Sequence, residues 1–165
     1  MALSTAFGPE SSWPAQDLVA FSRQFDADIT LEAYRAGVFP MSLDVDWSPG
    51  DMGWWSPVQR GLLLPDALRV TRSLPRSAAR YTTTVDLAFA DVLERCADPS
   101  RPYGWIDDDI RRVFTEGHRE GAVHSVETWD ASGQLVGGLY GVSLWGLFAG
   151  ESMFHDPVRG RDASK

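Results

Sequence analysis

Cysteine, lysine and long apolar runs are all scarce in this sequence. The single cysteine, Cys96, excludes an intramolecular disulfide framework and fits a reducing compartment, so a cytoplasmic protein is expected. No stretch approaches the roughly 20 apolar residues that span a bilayer. The opening MALSTAFGPESS has neither a basic start nor an apolar run of leader length, and no membrane partner is expected. Basic charge is also short: 15 Lys and Arg against 23 Asp and Glu give a net charge of −8, which excludes a surface coated with positive potential. Any nucleic-acid contact must therefore be local. Lys165 is the one lysine, so the other basic side chains are arginines, whose planar fork suits phosphate oxygens and stacking. His118, His124 and His155 lack metal-ligand spacing, and neither a metal nor any other cofactor is expected. Ser56, Ser125 and Ser152 lack a GxSxG elbow, which argues against a serine hydrolase.

What is present is apolar and aromatic. A chain of 165 residues that is 44% hydrophobic can bury one substantial core, or a modest core with a small appended lobe. Seven tryptophans either fill that core or line a groove, and composition does not separate the two. Arg69, Arg72, Arg76 and Arg80 recur through RVTRSLPRSAAR and form the one basic cluster of an acidic chain.

Residues 1–16 read as a loose, proline-punctuated lead-in with Trp13 as its anchor, and order is expected from about Asp17. Asp28 or Thr30 is placed to cap a helix through Leu31, Ala33, Tyr34 and Ala36, with Gly37 at its left-handed end and Pro40 preventing continuation. From Met41 to Pro57, two Ser-Pro pairs and Pro49-Gly50-Asp51 predict a turn-rich aromatic lobe. RGLLLPDALRVTRSL offers a short apolar strand, a proline break and a second apolar stretch. Val85, Ala88, Phe89, Val92, Leu93 and Cys96 share one helix face, with Thr84 or Asp86 as cap. After the interruptions at Pro99 and Pro102, a second helix is expected from about Asp108, burying Ile110, Val113 and Phe114 and ending at Gly121. HSVETWD, QLVGGLYGVSL and LFAGESMF then predict a three-strand meander, reversing at Asp130–Gly133 and at Leu144-Trp145-Gly146. Asp162 and Ser164 look like helix caps with no helix after them, so the chain is expected to continue beyond Lys165.

AYRAGVFPM followed by WSPGDMGWWSP resembles the amino-terminal lobe of the leucyl/phenylalanyl-tRNA-protein transferase family. GWI, EGHREG, HSVE, GGLYGV and LFAGESMF follow in the family's order and spacing, so that the likeness runs from about residue 17 to 165, with FAGESMF its most specific part. Met41 stands where the family usually has Trp, and Ala79 where it has a fourth basic residue. The resemblance implies an α+β chain: a small turn-rich lobe over 1–60 and, over 61–165, an incomplete acyl-CoA N-acyltransferase-like (GNAT-like) domain with a largely antiparallel meander. It implies transfer of Leu, Phe or Met from aminoacyl-tRNA to the amino-terminal Arg or Lys of acceptor proteins, which marks them for degradation. Such an enzyme performs aminolysis: it orients an amine against an already activated ester, removes a proton and stabilises an oxyanion.

Carried over residue by residue, Leu139, Phe148 and Met153 match the side-chain pocket, and Trp105 a ring near the terminal adenosine. Gly150 permits close backbone approach, and Glu151 is the carboxylate expected beside the amines. Arg72, Arg76 and Arg80 match the tRNA-contacting cluster. The general base of the family is expected beyond Lys165, so these 165 residues alone are expected to transfer little. On the residues alone, the apolar positions are also ordinary core, the tryptophans packing rings and Glu151 a solvated turn residue. Three other readings stand beside the first: an acetyl-CoA-dependent acyltransferase using Gln134–Leu139 (QLVGGL) as its pyrophosphate loop, a silent tRNA- or peptide-binding module, and an aggregation-prone fragment with an unpaired strand edge.

Overall fold

The computed structural model describes residues 6–43, 51–101, 104–160 and Ala163. Two compact units emerge: Met1–Gly61 with Asp107–Gly117, and Leu62–Ile106 with His118–Lys165. Both are built on antiparallel sheets with helices, an α+β arrangement.

In the first unit, β1 (Leu18–Ser22), β2 (Phe39–Ser42) and β3 (Met52–Trp55) form a sheet of order β1-β3-β2. The turn-rich lobe expected there is thus a sheet, with WW at its centre. Trp54 is buried and its Nε1 donates to Ser22 Oγ at 2.9 Å, while the Trp55 indole reaches Met41 O at 3.3 Å. Pro40 is accommodated because β2 is an edge strand, where a missing N–H costs no ladder bond. The turn signals at Ser48, Pro49 and Gly50 lie outside the described residues.

Ahead of the sheet, Glu10–Ser12 makes one 3-10 turn. The Trp13 indole donates to Phe7 O at 2.8 Å within the lead-in, and it is the Phe7 ring that sits edge-on to Trp54 at 5.3 Å. The lead-in is therefore structured earlier than Asp17.

Between β1 and β2 runs α1 (Ala27–Ala36). Its cap is Asp26 rather than Asp28 or Thr30: Ile29 N donates to Asp26 Oδ1 at 2.9 Å, and Thr30 Oγ1 donates back to Asp26 O at 2.7 Å. Asp26 has the extended backbone a cap requires, which leaves Asp28 inside the first turn, beside the positive end of the helix dipole. Gly37 ends α1 at φ 85°, as its sequence position predicts.

α4 (Asp108–Arg119) begins in this unit. Asp107 caps it, accepting from Ile110 N at 2.8 Å and from Ser42 Oγ at 2.9 Å, while Arg112 donates to Phe25 O at 3.0 Å. Ile110, Val113 and Phe114 are buried as their spacing implies, and Gly121 follows the helix at φ 77°.

The second unit holds α2 (Ser73–Ala78), β4 (Thr82–Val85), α3 (Phe89–Cys96), β5 (Val123–Trp129), β6 (Leu135–Leu144) and β7 (Leu147–His155). The meander of β5, β6 and β7 is present, and β4 extends it to the order β4-β5-β6-β7. Val85 was expected on the helix face. It belongs to β4 because Thr82, Thr83, Thr84 and Val85 are all β-branched and pair along β5. α3 consequently starts only at Phe89. The strand expected in RGLLLPDALRVTRSL is absent: the segment forms one 3-10 turn, Pro65–Ala67, and Leu62 and Leu63 are 70% and 69% exposed. Asp162 and Ser164, read as helix caps, lie outside the described residues.

Candidate functional site

The four-stranded sheet has two faces of different character, set by the period-two alternation of its strands. On one face Tyr140 and Phe154 look toward α3, with the Phe89 ring edge-on to Tyr140 at 6.3 Å. A Cβ at Gly138 would meet Val92 of α3 at 2.8 Å. On the other face the register aligns Val126, Leu139 and Met153 across β5, β6 and β7.

That second face carries a cavity of about 380 Å³, near the lower end of ligand pockets, which run from about 300 to 1,000 Å³. Its floor includes Val126, Leu139 and Met153, its sides Tyr81, Thr83 and Thr128, and its outer wall Leu74 and Ala78 of α2. The lining is overwhelmingly apolar. Met153 is 51% exposed, so the site is open. Phe148 is half-exposed on the same face: a Cβ at Gly141 would meet its ring at 2.7 Å and would clash with Ala149 O. Only glycine at position 141 lets this ring lie across the strand. Gly150 pairs with Gly141, and a Cβ there would sit 3.9 Å from both Leu139 and Phe148.

Glu151 occupies a β-bulge. Tyr140 pairs with Ser152 and Gly141 with Gly150, which leaves Glu151 opposite no residue of β6. Bulges re-aim a side chain and are frequent beside functional sites. Burial holds the Tyr140 hydroxyl in its neutral form, and the nearby charge of Glu151 adds to that effect. Glu151 is not among the residues lining the cavity.

The arginine cluster lies on the outside. Arg72, Arg76 and Arg80 are exposed and recur four residues apart, while Leu74 and Ala78, also four apart, line the cavity from the opposite side of α2. The Arg80 guanidinium stands 5.8 Å from the centre of the Tyr81 ring, and the Tyr81 hydroxyl donates to Arg159 O at 3.2 Å. Trp105 is half-buried in the segment before α4 and is not among the cavity-lining residues. The structure therefore brings Leu139, Phe148, Gly150 and Met153 onto one face, with Glu151 at its bulge, and sets Arg76 on the outer side of α2 with Arg72 and Arg80 at its two ends.

Sequence reasoning missed the α2 wall, Tyr81 and Thr83. The i, i+4 pair Leu74 and Ala78 was the available signal. It also missed a polar network under the start of α3. Glu127 is fully buried and accepts from Thr84 Oγ1 and Ser125 Oγ, each at 2.5 Å, and from Leu87 N and Ala88 N at 3.3 and 3.4 Å. From β5 it holds the turn that leads into α3, whose own start has no side-chain cap from Thr84, Asp86 or any other residue. Thr84 in turn accepts from the Trp129 indole at 2.7 Å.

Asp86, at φ 58°, accepts from Ser125 N at 2.9 Å and pairs with His124 Nδ1 at 2.7 Å. Burial pushes its pKa upward, but the hydrogen bonds from His124 and Ser125 N and the charges of His124 and His118 outweigh this and leave it below the ordinary value. A carboxyl lowered on folding adds stability above its unfolded pKa of about 3.9, and that stability is lost as pH falls through the lower folded value. Acid unfolding followed by circular dichroism is accordingly expected to start at higher pH in Asp86→Ala than in the wild type. Coincident acid transitions would remove Asp86 from the account.

A sequence model described as leucyl/phenylalanyl-tRNA protein transferase matches residues 62–165, and that of the same enzyme's N-terminal domain matches residues 23–58. The chain belongs to this family. Three leucyl/phenylalanyl-tRNA–protein transferases illustrate the similarity. That of Afipia carboxidovorans is 45% identical over 142 residues, covering 84% of this chain and 60% of the relative. That of Aromatoleum aromaticum is 46% identical over 141 residues, covering 82% and 55%. That of Laribacter hongkongensis is 43% identical over 153 residues, covering 90% and 62%. The chain thus spans about 60% of the length of the transferases it matches. Among the described residues, no helix is long and apolar enough to cross a membrane.

Proposed function

We propose that the protein moves leucine, and also phenylalanine or methionine, from aminoacyl-tRNA to the amino-terminal Arg or Lys of acceptor proteins in the cytoplasm, marking them for degradation. The observation that carries this reading is the apolar cavity between Leu139, Met153 and α2, in a chain of the transferase family, with Arg76 on the outer side of that helix and Arg72 and Arg80 exposed at its two ends. An unbranched or large apolar side chain fits such a lining, and phosphates suit the arginines. Residues 61–165 act as a GNAT-like aminoacyltransferase domain, and residues 1–60 as a small lobe of their own.

In the proposed reaction the acceptor's amino-terminal ammonium gives one proton to solvent, and the resulting amine attacks the ester carbonyl while a second nitrogen proton passes to the departing ribose oxygen. A peptide bond forms and the ribose hydroxyl leaves. Leu139, Phe148 and Met153 hold the donor side chain, and Gly150 leaves backbone room for the ester. Glu151 orients the cationic amine from the bulge, and Trp105 stacks on the terminal base. Arg72, Arg76 and Arg80 bind the tRNA body. No cofactor takes part, since the ester already carries the free energy for transfer.

The test is transfer of labelled leucine from leucyl-tRNA to a peptide beginning with Arg. A protein that joins these residues to the family's general base is expected to transfer leucine, and Glu151→Ala within it to reduce transfer by about 100-fold, the lower end of what one acid–base or orienting group contributes. Undiminished transfer by Glu151→Ala would remove Glu151 from the site. The acetyl-CoA alternative has less support: Leu135–Leu139 of QLVGGL lies inside β6, which runs on to Leu144 and into β7, with no helix N-terminus to receive a pyrophosphate.

A further inference from the structure

α2 is a six-residue helix with no buried residue and no side-chain cap at its start. Its two sides nevertheless do different things. Leu74 and Ala78 form the outer wall of the cavity, while Arg72 and Arg76 are exposed on the opposite side. Just beyond its end, Arg80 stands over the ring of Tyr81, itself a cavity-lining residue. A segment with so little buried surface is inexpensive to shift, because few contacts are lost when it moves. A polyanion held by the arginines therefore acts directly on the wall of the cavity.

From this geometry we propose that α2 couples RNA binding to side-chain selection: phosphates drawn to Arg72, Arg76 and Arg80 seat α2 against the sheet, and Leu74 and Ala78 then close on the donor side chain. The inference rests on the proposed aminoacyl-tRNA reading and assigns Leu74 and Ala78 as residues that set donor specificity. Its thermodynamic content is reciprocal. An apolar side chain that fits the closed cavity must tighten RNA binding by the same factor that RNA tightens side-chain binding. Ala78 sets the room available: a larger residue there narrows the cavity and disfavours the wider donor.

The test compares dissociation constants of amide-linked, non-hydrolysable leucyl- and alanyl-tRNA with those of the same amino acids on a short oligonucleotide carrying only the tRNA 3′ end. The preference for leucine over alanine is expected to be about five-fold or more greater on the whole tRNA, the lower range of coupling between two sites. Arg76→Ala is expected to bring the preference on tRNA down toward the oligonucleotide value. Ala78→Leu, which adds three carbons to the wall, is expected to weaken phenylalanyl-tRNA relative to leucyl-tRNA by about ten-fold or more, the lower end of what even one methylene does in an apolar pocket. Both side chains are exposed, so neither variant threatens folding. Equal preference on tRNA and oligonucleotide, or an Arg76→Ala loss that falls equally on leucyl- and alanyl-tRNA, would overturn the coupling and leave the aminoacyl-tRNA reading intact. Absence of any tRNA binding by the wild type at low salt would overturn that reading itself, and the coupling with it.

Discussion

Glu127→Ala is expected to lower stability by about 2 kcal/mol, the cost of removing a fully buried acceptor from its hydrogen-bond network. The carboxylate is fully buried and takes four hydrogen bonds from three places: the end of β4, the turn before α3, and its own strand. The hydroxyls of Thr84 and Ser125 can rotate toward other acceptors when it is gone. The amides of Leu87 and Ala88 cannot, because the backbone direction of the α3 start is held by the packing of Phe89, Val92 and Leu93, all buried. Glu127→Gln keeps the shape and one acceptor oxygen but turns an amide NH2 toward donors, so about half the loss is expected. Denaturant midpoints of the two variants check this. A loss under about 1 kcal/mol in Glu127→Ala would mean that the network is dispensable.

The second large effect is electrostatic. Each phosphate neutralised on duplex RNA or DNA contributes about 0.9 to the slope of log affinity against log salt, so replacing Arg72, Arg76 and Arg80 together by alanine should lower the slope by about 2.7. Between 50 and 200 mM salt the wild type should then lose about 40-fold more affinity for tRNA than the triple variant. The chain makes this a sharp experiment, because its net charge of −8 offers little background attraction for RNA. An unchanged slope would show that the phosphates lie elsewhere. The variant's fold should survive, since all three side chains are exposed.

Local signals in the sequence were read well where the physics is local. Gly37 at the end of α1, the buried stripe of Ile110, Val113 and Phe114, and the reversals at Asp130–Gly133 and Trp145-Gly146 all follow from spacing and turn chemistry. The misreadings share a cause. Met52–Trp55 was assigned to turns because its neighbours are turn residues, yet its pairing partners, Phe39–Ser42 and Leu18–Ser22, are distant in sequence. Val85 was assigned to a helix because it is apolar and in phase with Phe89 and Val92, whereas the cross-strand partner that claims it is Val126. At RGLLLPDALRVTRSL, apolarity suggested a strand for which the described residues offer no partner.

From the sequence alone came the family, through motifs in register from AYRAGVFP to FAGESMF, and with it the residues brought forward as pocket, bulge and arginine cluster. Helix phase, turns and charge were legible there because each depends on residues within about one helical turn of each other. Only the tertiary structure decided that α2 walls the cavity with one side and presents Arg76 on the other, that Glu151 falls opposite no residue of β6, and that Glu127 holds the turn before a helix some 40 residues earlier in the chain. These depend on strand register and on which face each strand turns to its neighbour. A slip of one residue reverses every side chain, and the partner strand and the connecting turn fix the register together with each strand's own pattern.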